Sequence, residues 1–96
     1  MDVQRQLGMH REEIKSIAAR HGVTEIAMFG SASRGEAGPA SDIDLLVEAT
    51  GPVTPWFPGG LVADLEEMLG CRVDVVERRS LRPELREQVL AEARAL

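Results

Sequence analysis

The sequence predicts an α/β (α+β) fold, a small mixed β-sheet with helices packed against it, over one domain spanning residues 1–96. Three observations carry that prediction. Amphipathic stretches of helical period alternate along the chain with short apolar runs of strand length. Glycines and prolines punctuate the joins. The length of 96 residues leaves room for one domain of the usual range of about 50 to 250, and excludes two independent cores.

The elements follow in order. Val3, Leu7, Ile14, Ile17 and Ala18 recur at helical period with charged residues between them. They predict one amphipathic helix from Val3 to about Arg20, stopped by His21-Gly22 with the glycine as C-cap. Thr24 to Phe29 is short and apolar after that break and reads as a buried strand ended by Gly30. Ser31 to Glu36 suits one or two helical turns, and Gly38-Pro39-Ala40-Ser41 is a loop. From Asp42 to Glu48, Ile43, Leu45 and Val47 alternate with Asp42, Asp44 and Leu46, as in a strand with one strongly polar end on one face. Three prolines and three glycines between Ala49 and Gly60 exclude a regular element there. Leu61, Val62, Leu65, Met68 and Leu69 mark a helix closed by Gly70, and Arg72 to Val76 makes a third strand. Leu81, Leu85, Val89 and Leu90 mark a final helix, with Ser80 as N-cap and Pro83 in its first turn. The order is helix, strand, short helix, strand, helix, strand, helix, for which a helix-covered mixed sheet is the economical arrangement.

Composition bounds the function classes. Hydrophobic residues at 44% and charged residues at 28% match a globular chain rather than a disordered one. A domain this short buries roughly 60–65% of its unfolded surface, so a partner or ligand bears on its stability. Its net charge of −5, with Lys and Arg scattered, argues against direct nucleic-acid binding, which rests on basic side chains displacing phosphate counterions. A single nucleotide stays open. Cys71 has no second cysteine to pair with, and no CxxC or Cys/His cluster offers a zinc site, which fits a reducing compartment. Asp2, Gln4, Arg5 and Gln6 stand where a signal peptide needs an apolar core, and no apolar run approaches about 20 residues. The expectation is a cytoplasmic protein without membrane contact.

Chemistry concentrates in Phe29-Gly30-Ser31-Ala32-Ser33-Arg34-Gly35-Glu36 and in Ser41-Asp42-Ile43-Asp44-Leu45-Leu46-Val47. Asp42 and Asp44, two apart on a strand, project their carboxylates from one face. Such a pair repels itself unless one is protonated or a cation lies between them, and hard carboxylate oxygens suit Mg²⁺ shared with water and substrate phosphates. Gly30 at a strand end lets backbone approach a phosphate, Ser31 adds a hydroxyl, and Arg34 stands one helical turn on, in reach of a phosphate oxygen. A phosphate cradle beside a metal site is the layout of phosphoryl or nucleotidyl transfer.

Gly30-Ser31, ten intervening residues and Asp42-Ile43-Asp44 resemble the signature of the DNA polymerase β-like nucleotidyltransferase superfamily. Shortness, the initial helix and Leu69-Gly70-Cys71-Arg72-Val73-Asp74-Val75-Val76 narrow the resemblance to the minimal nucleotidyltransferase (MNT) proteins, over roughly Arg11 to Glu92. The resemblance implies that Asp42 and Asp44 are paired metal ligands and Asp74 a third carboxylate that ligates metal and helps deprotonate the nucleophile. It also implies that Gly30 and Ser31 form the triphosphate loop and that Arg34 contacts phosphate. Two Mg²⁺ ions accompany bound nucleotide in such sites, about 3.5–4 Å apart. MNT proteins resemble antitoxins of HEPN-domain ribonuclease toxins, usually encoded beside them, and the better understood members transfer AMP from ATP to a toxin tyrosine. This chain has no tyrosine of its own to modify.

The favoured expectation is an antitoxin that adenylylates a HEPN-type partner. Two alternatives stand beside it: a non-catalytic antitoxin acting by binding only, and an antibiotic-type small-molecule nucleotidyltransferase needing a second chain to shape the acceptor pocket. Bland readings accompany individual residues. Asp42 also suits a strand-edge turn, Asp74 a solvent-facing strand position, and Arg34 a salt bridge to Glu36 or an aspartate. Ser33 and Ser41 cap or turn the backbone, His10 and His21 lie on a helix face and a helix end, and Cys71 packs. Phe57 belongs to the core, while Trp56 suits either a lid or a partner anchor.

Overall fold

Strands β1 (Val23–Phe29), β2 (Ile43–Ala49), β3 (Val73–Glu77) and β4 (Arg94–Ala95) form one sheet, in the order β3-β2-β1-β4. The computed structural model describes residues 3–33, 42–50 and 57–96. β1 runs antiparallel to β2 and to β4, and β3 runs parallel to β2, so the sheet is mixed, as the sequence predicts. A parallel pair cannot be joined by a hairpin and needs a crossover, which here contains helix α4 (Gly59–Leu69).

The core lies on one face of this sheet. Ile43, Leu45 and Val47 of β2, Val73 and Val75 of β3, and Ile26 of β1 meet Leu7, Ile14, Ile17, Leu61, Leu65 and Leu69 in one buried cluster. The helical residues come from α1 (Val3–Met9), α2 (Arg11–Arg20) and α4, whose apolar positions recur at three- and four-residue spacing. Residues between the core positions of each strand must face the other way: Ala27 and Phe29 on β1, Asp44, Leu46 and Glu48 on β2, Asp74 and Val76 on β3. Of the two further helices, α3 (Gly30–Ser33) contacts β1, β2 and α5 (Pro83–Glu92), and α5 buries none of its own residues. Leu65 has no exposed surface. Leu65→Ala is expected to cost about 2–5 kcal/mol, a large share of the roughly 5–15 kcal/mol typical of a domain, and to lower the thermal midpoint steeply by circular dichroism.

Several element boundaries differ from expectation, each for a local reason. The single helix expected from Val3 to Arg20 is two, broken at His10. No apolar residue stands at 10 or 11 to hold that turn against the sheet, and Gly8 just before it lowers helix propensity. His21, not Gly22, is the C-cap of α2, and Gly22 follows with φ of 82°. The His21 ring reaches α4, where Nε2 lies 2.7 Å from Asp64 Oδ2. α4 begins at Gly59, inside the stretch expected to be irregular, and ends as expected at Gly70 in the left-handed conformation. β3 lies one residue later than the expected strand, and Asp42 immediately precedes β2 rather than opening it.

The last helix is displaced too. Arg78–Ser80 forms a 3-10 turn, so Ser80 is not the N-cap of α5; Arg82 is, and Pro83 takes the first helical position, where its missing N–H costs no hydrogen bond. β4 has no precursor in the expected order. Two residues show no alternation, and only the tertiary pairing of Arg94 and Ala95 with Met28 and Ala27 makes them a strand.

Candidate active site

The site is built where β1 ends and β2 and β3 begin. Because Ile43 and Leu45 turn into the core, Asp44 between them projects from the opposite face of the sheet. Asp44 pairs with Phe29 across the antiparallel ladder and with Asp74 across the parallel one. Directly paired residues share a face, and neighbouring strands are about 4.8 Å apart, so the Asp44 and Asp74 carboxylates stand side by side on the face away from the core. Asp74 is exposed and Asp44 half-buried.

Gly30 lies directly against Asp44. Its φ is +66°, and a Cβ built there would lie 2.6 Å from Asp44 Oδ2, closer than any side chain tolerates. Glycine is therefore required twice, by the backbone and by the carboxylate against it. Ser33, 2% exposed, donates its hydroxyl to the Gly30 carbonyl at 2.9 Å and closes the α3 turn, the turning role expected of it. Ser31 lies within α3. Arg34, Ser41 and Trp56 lie outside the described residues.

Asp42 stands at the entrance to β2. Ile43 N–H donates to the Arg72 carbonyl at 2.9 Å, which sets Arg72 beside Asp42, with Arg72 Nε 3.8 Å from Asp42 Oδ1. Both side chains are largely exposed, so water screens this pair and it contributes little to stability. The structure thus brings Gly30, Asp44 and Asp74 together, with Asp42 one residue beyond the ladder. Among the described residues no three His, Cys, Asp or Glu side chains converge into a ready-made metal cage. Mg²⁺ rarely uses one; it binds one or two carboxylates and completes its octahedron with water and substrate phosphates. The hard oxygens of Asp44 and Asp74, on an open face beside a glycine turn, suit that mode of binding.

Two residues near the site escaped the sequence reading. Arg72 becomes visible only once the parallel register of β2 and β3 is known. Glu66 accepts the backbone N–H of Val73 at 3.0 Å, and nothing in its helical position announces that role. Cys71 is partly buried against the core, and its thiol is pushed above the usual range by burial first and by the Glu66 carboxylate second, as suits a packing residue. Phe57 packs on the core as expected. His10 lies 3.4 Å from Glu13 on α2. No described helix is long and apolar enough to cross a membrane.

Residues 8–96 match the family model described as "Nucleotidyltransferase domain". The chain belongs to the nucleotidyltransferase family. This nucleotidyltransferase is 37% identical, over 95% of its length and 89% of the other's, to the protein adenylyltransferase MntA of Thermococcus cleftensis. It is 39% identical over 83 residues, 86% of its own length and 89% of the other's, to a protein assigned as an adenylyltransferase in Methanocaldococcus jannaschii. Its fold superposes over its whole length, and over 97% of the other chain, on a structure assigned as a minimal nucleotidyltransferase, with a TM-score of 0.87 and 47% identity. That likeness places it in the MNT group. A toxin–antitoxin structure with AMP-PNP follows at a TM-score of 0.75 and 28% identity, covering 88% of this chain and 69% of the other.

Proposed function

We propose that this nucleotidyltransferase transfers AMP from ATP, with Mg²⁺, to a hydroxyl of a HEPN-type ribonuclease toxin and so acts as its antitoxin. The observation that carries the proposal is the parallel pairing of Asp44 with Asp74, with Asp44 against Gly30, whose left-handed backbone and close approach both favour glycine. Similarity to MntA, a protein adenylyltransferase, supports a protein acceptor, and similarity to a toxin–antitoxin structure with AMP-PNP supports both a toxin partner and an adenine nucleotide.

In the proposed reaction Asp42, Asp44 and Asp74 hold the metal, and Gly30, Ser31 and Arg34 hold the triphosphate. Bound metal would supply Lewis-acid stabilisation of charge on the reacting phosphate oxygens. Asp74, exposed on β3, takes the acceptor proton in this reading. The acceptor oxygen bonds to the α-phosphorus, the bond from that phosphorus to the bridging oxygen breaks, and pyrophosphate leaves. The acceptor comes from another molecule in this reading: Asp74 is exposed, and the chain holds no tyrosine of its own to modify. Residues 1–96 act as one domain in this reading, in the cytoplasm, with no direct binding of nucleic acid.

Mixing the chain with the product of the adjacent gene, ATP and Mg²⁺, and weighing the partner by intact-mass spectrometry tests the proposal. One or more added AMP units are expected. Tight binding without added mass would replace the reading with a binding-only antitoxin. Mg²⁺ with a nonhydrolysable ATP analogue should also raise the thermal midpoint of the chain alone, by about 2.7 kcal/mol of stabilisation at a hundred times the dissociation constant. No shift at millimolar ligand would count against the site.

A further inference from the structure

Among the described residues β3 is the outermost strand of the sheet, held by one ladder only, and it carries Asp74 close to its start. The Arg72 carbonyl turns toward β2, where it accepts the Ile43 N–H. Successive residues of a strand alternate the direction of their backbone polar groups, so the N–H of Val73 points away from β2, to the side where an edge strand has no ladder partner. Glu66 fills that vacancy from α4: its Oε2 accepts the Val73 N–H at 3.0 Å in a partly buried setting. Its backbone carbonyl accepts the N–H of Gly70 at 2.8 Å. One residue therefore ends the helix with its backbone and anchors the next strand with its side chain. Gln6 of α1 fastens the same corner by donating from Nε2 to the Leu69 carbonyl at 3.2 Å.

The anchor acts beside the paired acids. Asp44 and Asp74 are paired across β2 and β3, and Asp74 directly follows Val73, so the position of the Val73 backbone sets where the Asp74 carboxylate stands relative to Asp44. We infer that Glu66 is a positioning residue, which fixes the start of β3 through the Val73 amide and so keeps the Asp74 carboxylate beside that of Asp44 for metal and nucleotide. This inference rests on the functional reading above for the role of Asp74; the anchoring itself rests on the hydrogen bond alone.

The test uses the whole chain, with Mn²⁺ and a nonhydrolysable ATP analogue as the probe. Glu66→Ala and Glu66→Asp, the second too short to reach the amide, should speed hydrogen exchange at Val73 about ten-fold or more. Both should weaken Mn²⁺ binding, read by electron paramagnetic resonance, by about 10–100-fold, the range seen when groups that orient metal ligands are removed. Glu66→Gln retains an acceptor oxygen and should bind Mn²⁺ within about three-fold of wild type. Gln6→Ala loosens the same corner without touching β3, and should lower the thermal midpoint while leaving Mn²⁺ affinity unchanged. Wild-type affinity in folded Glu66→Ala or Glu66→Asp overturns the inference, and so does a Glu66→Gln variant as weak as Glu66→Asp. A wild-type chain that binds no Mn²⁺ with nucleotide overturns the functional reading instead, and the anchor then stands or falls on exchange at Val73.

Discussion

Asp44→Asn is expected to leave the proposed toxin partner unmodified under conditions in which the wild-type chain would add AMP to it. Asp44 is the one carboxylate tied into every part of the site. It is paired with Phe29 and Asp74 through the two ladders of β2, and it lies against Gly30. An amide of the same shape keeps those packing relations but gives up the charge proposed to hold Mg²⁺. Metal-assisted stabilisation is worth several kcal/mol, so transfer should fall by roughly a thousand-fold or more. The variant should nevertheless fold, and its thermal midpoint without ligand should match or exceed that of wild type because repulsion from Asp74 is relieved. Intact mass of the partner and the midpoint of the chain are the two measurements. Transfer above a tenth of the wild-type rate would remove Asp44 from the proposed machinery.

Gly30→Ala should be nearly as damaging to transfer, by another route. The substitution meets two penalties: a left-handed backbone at φ +66°, and a Cβ 2.6 Å from Asp44 Oδ2. The first costs about 1–2 kcal/mol. The second forces the carboxylate to move. Gly70→Ala separates the two effects, because Gly70 also has positive φ, at +70°, yet a Cβ there would meet nothing within 4 Å. Both variants should lose comparable stability in thermal melts, but only Gly30→Ala should lose the midpoint rise with Mg²⁺ and the ATP analogue, and with it AMP transfer. Equal behaviour of the two in the transfer assay would mean that Gly30 serves the backbone alone.

Much of this arrangement was legible in the residues. The alternation of Ile43, Leu45 and Val47 with Asp44 and Leu46 reports a strand with one face in the core, and Gly70 reports the end of α4 through its backbone freedom. Local period and local breakers suffice for such features. What stayed hidden depends on pairing between distant segments. Arg94 and Ala95 are a strand only because β1 has a free edge beside them, and Arg72 meets Asp42 only through a register that no single segment encodes. Ser80 has the right side chain for a helix cap, yet Pro83 fixes where α5 can begin and leaves Ser80 in the preceding turn. Among the site residues, Gly30, Asp42, Asp44 and Asp74 were visible as a pattern. The closeness of Gly30 to Asp44, and the anchoring of Val73 by Glu66, required the folded chain.

The parallel pairing of β2 with β3 also sets an order in time. Asp44 and Asp74 become neighbours only after the chain between them, α4 included, has closed a long loop, and parallel non-local pairs are slow to form because that entropy is lost before any contact offsets it. On the ribosome, Gly30, Asp42 and Asp44 are synthesised before Asp74. A chain halted short of β3 carries Gly30 and the first two acids but lacks the third, so the proposed site is complete only once β3 has been made and has paired with β2.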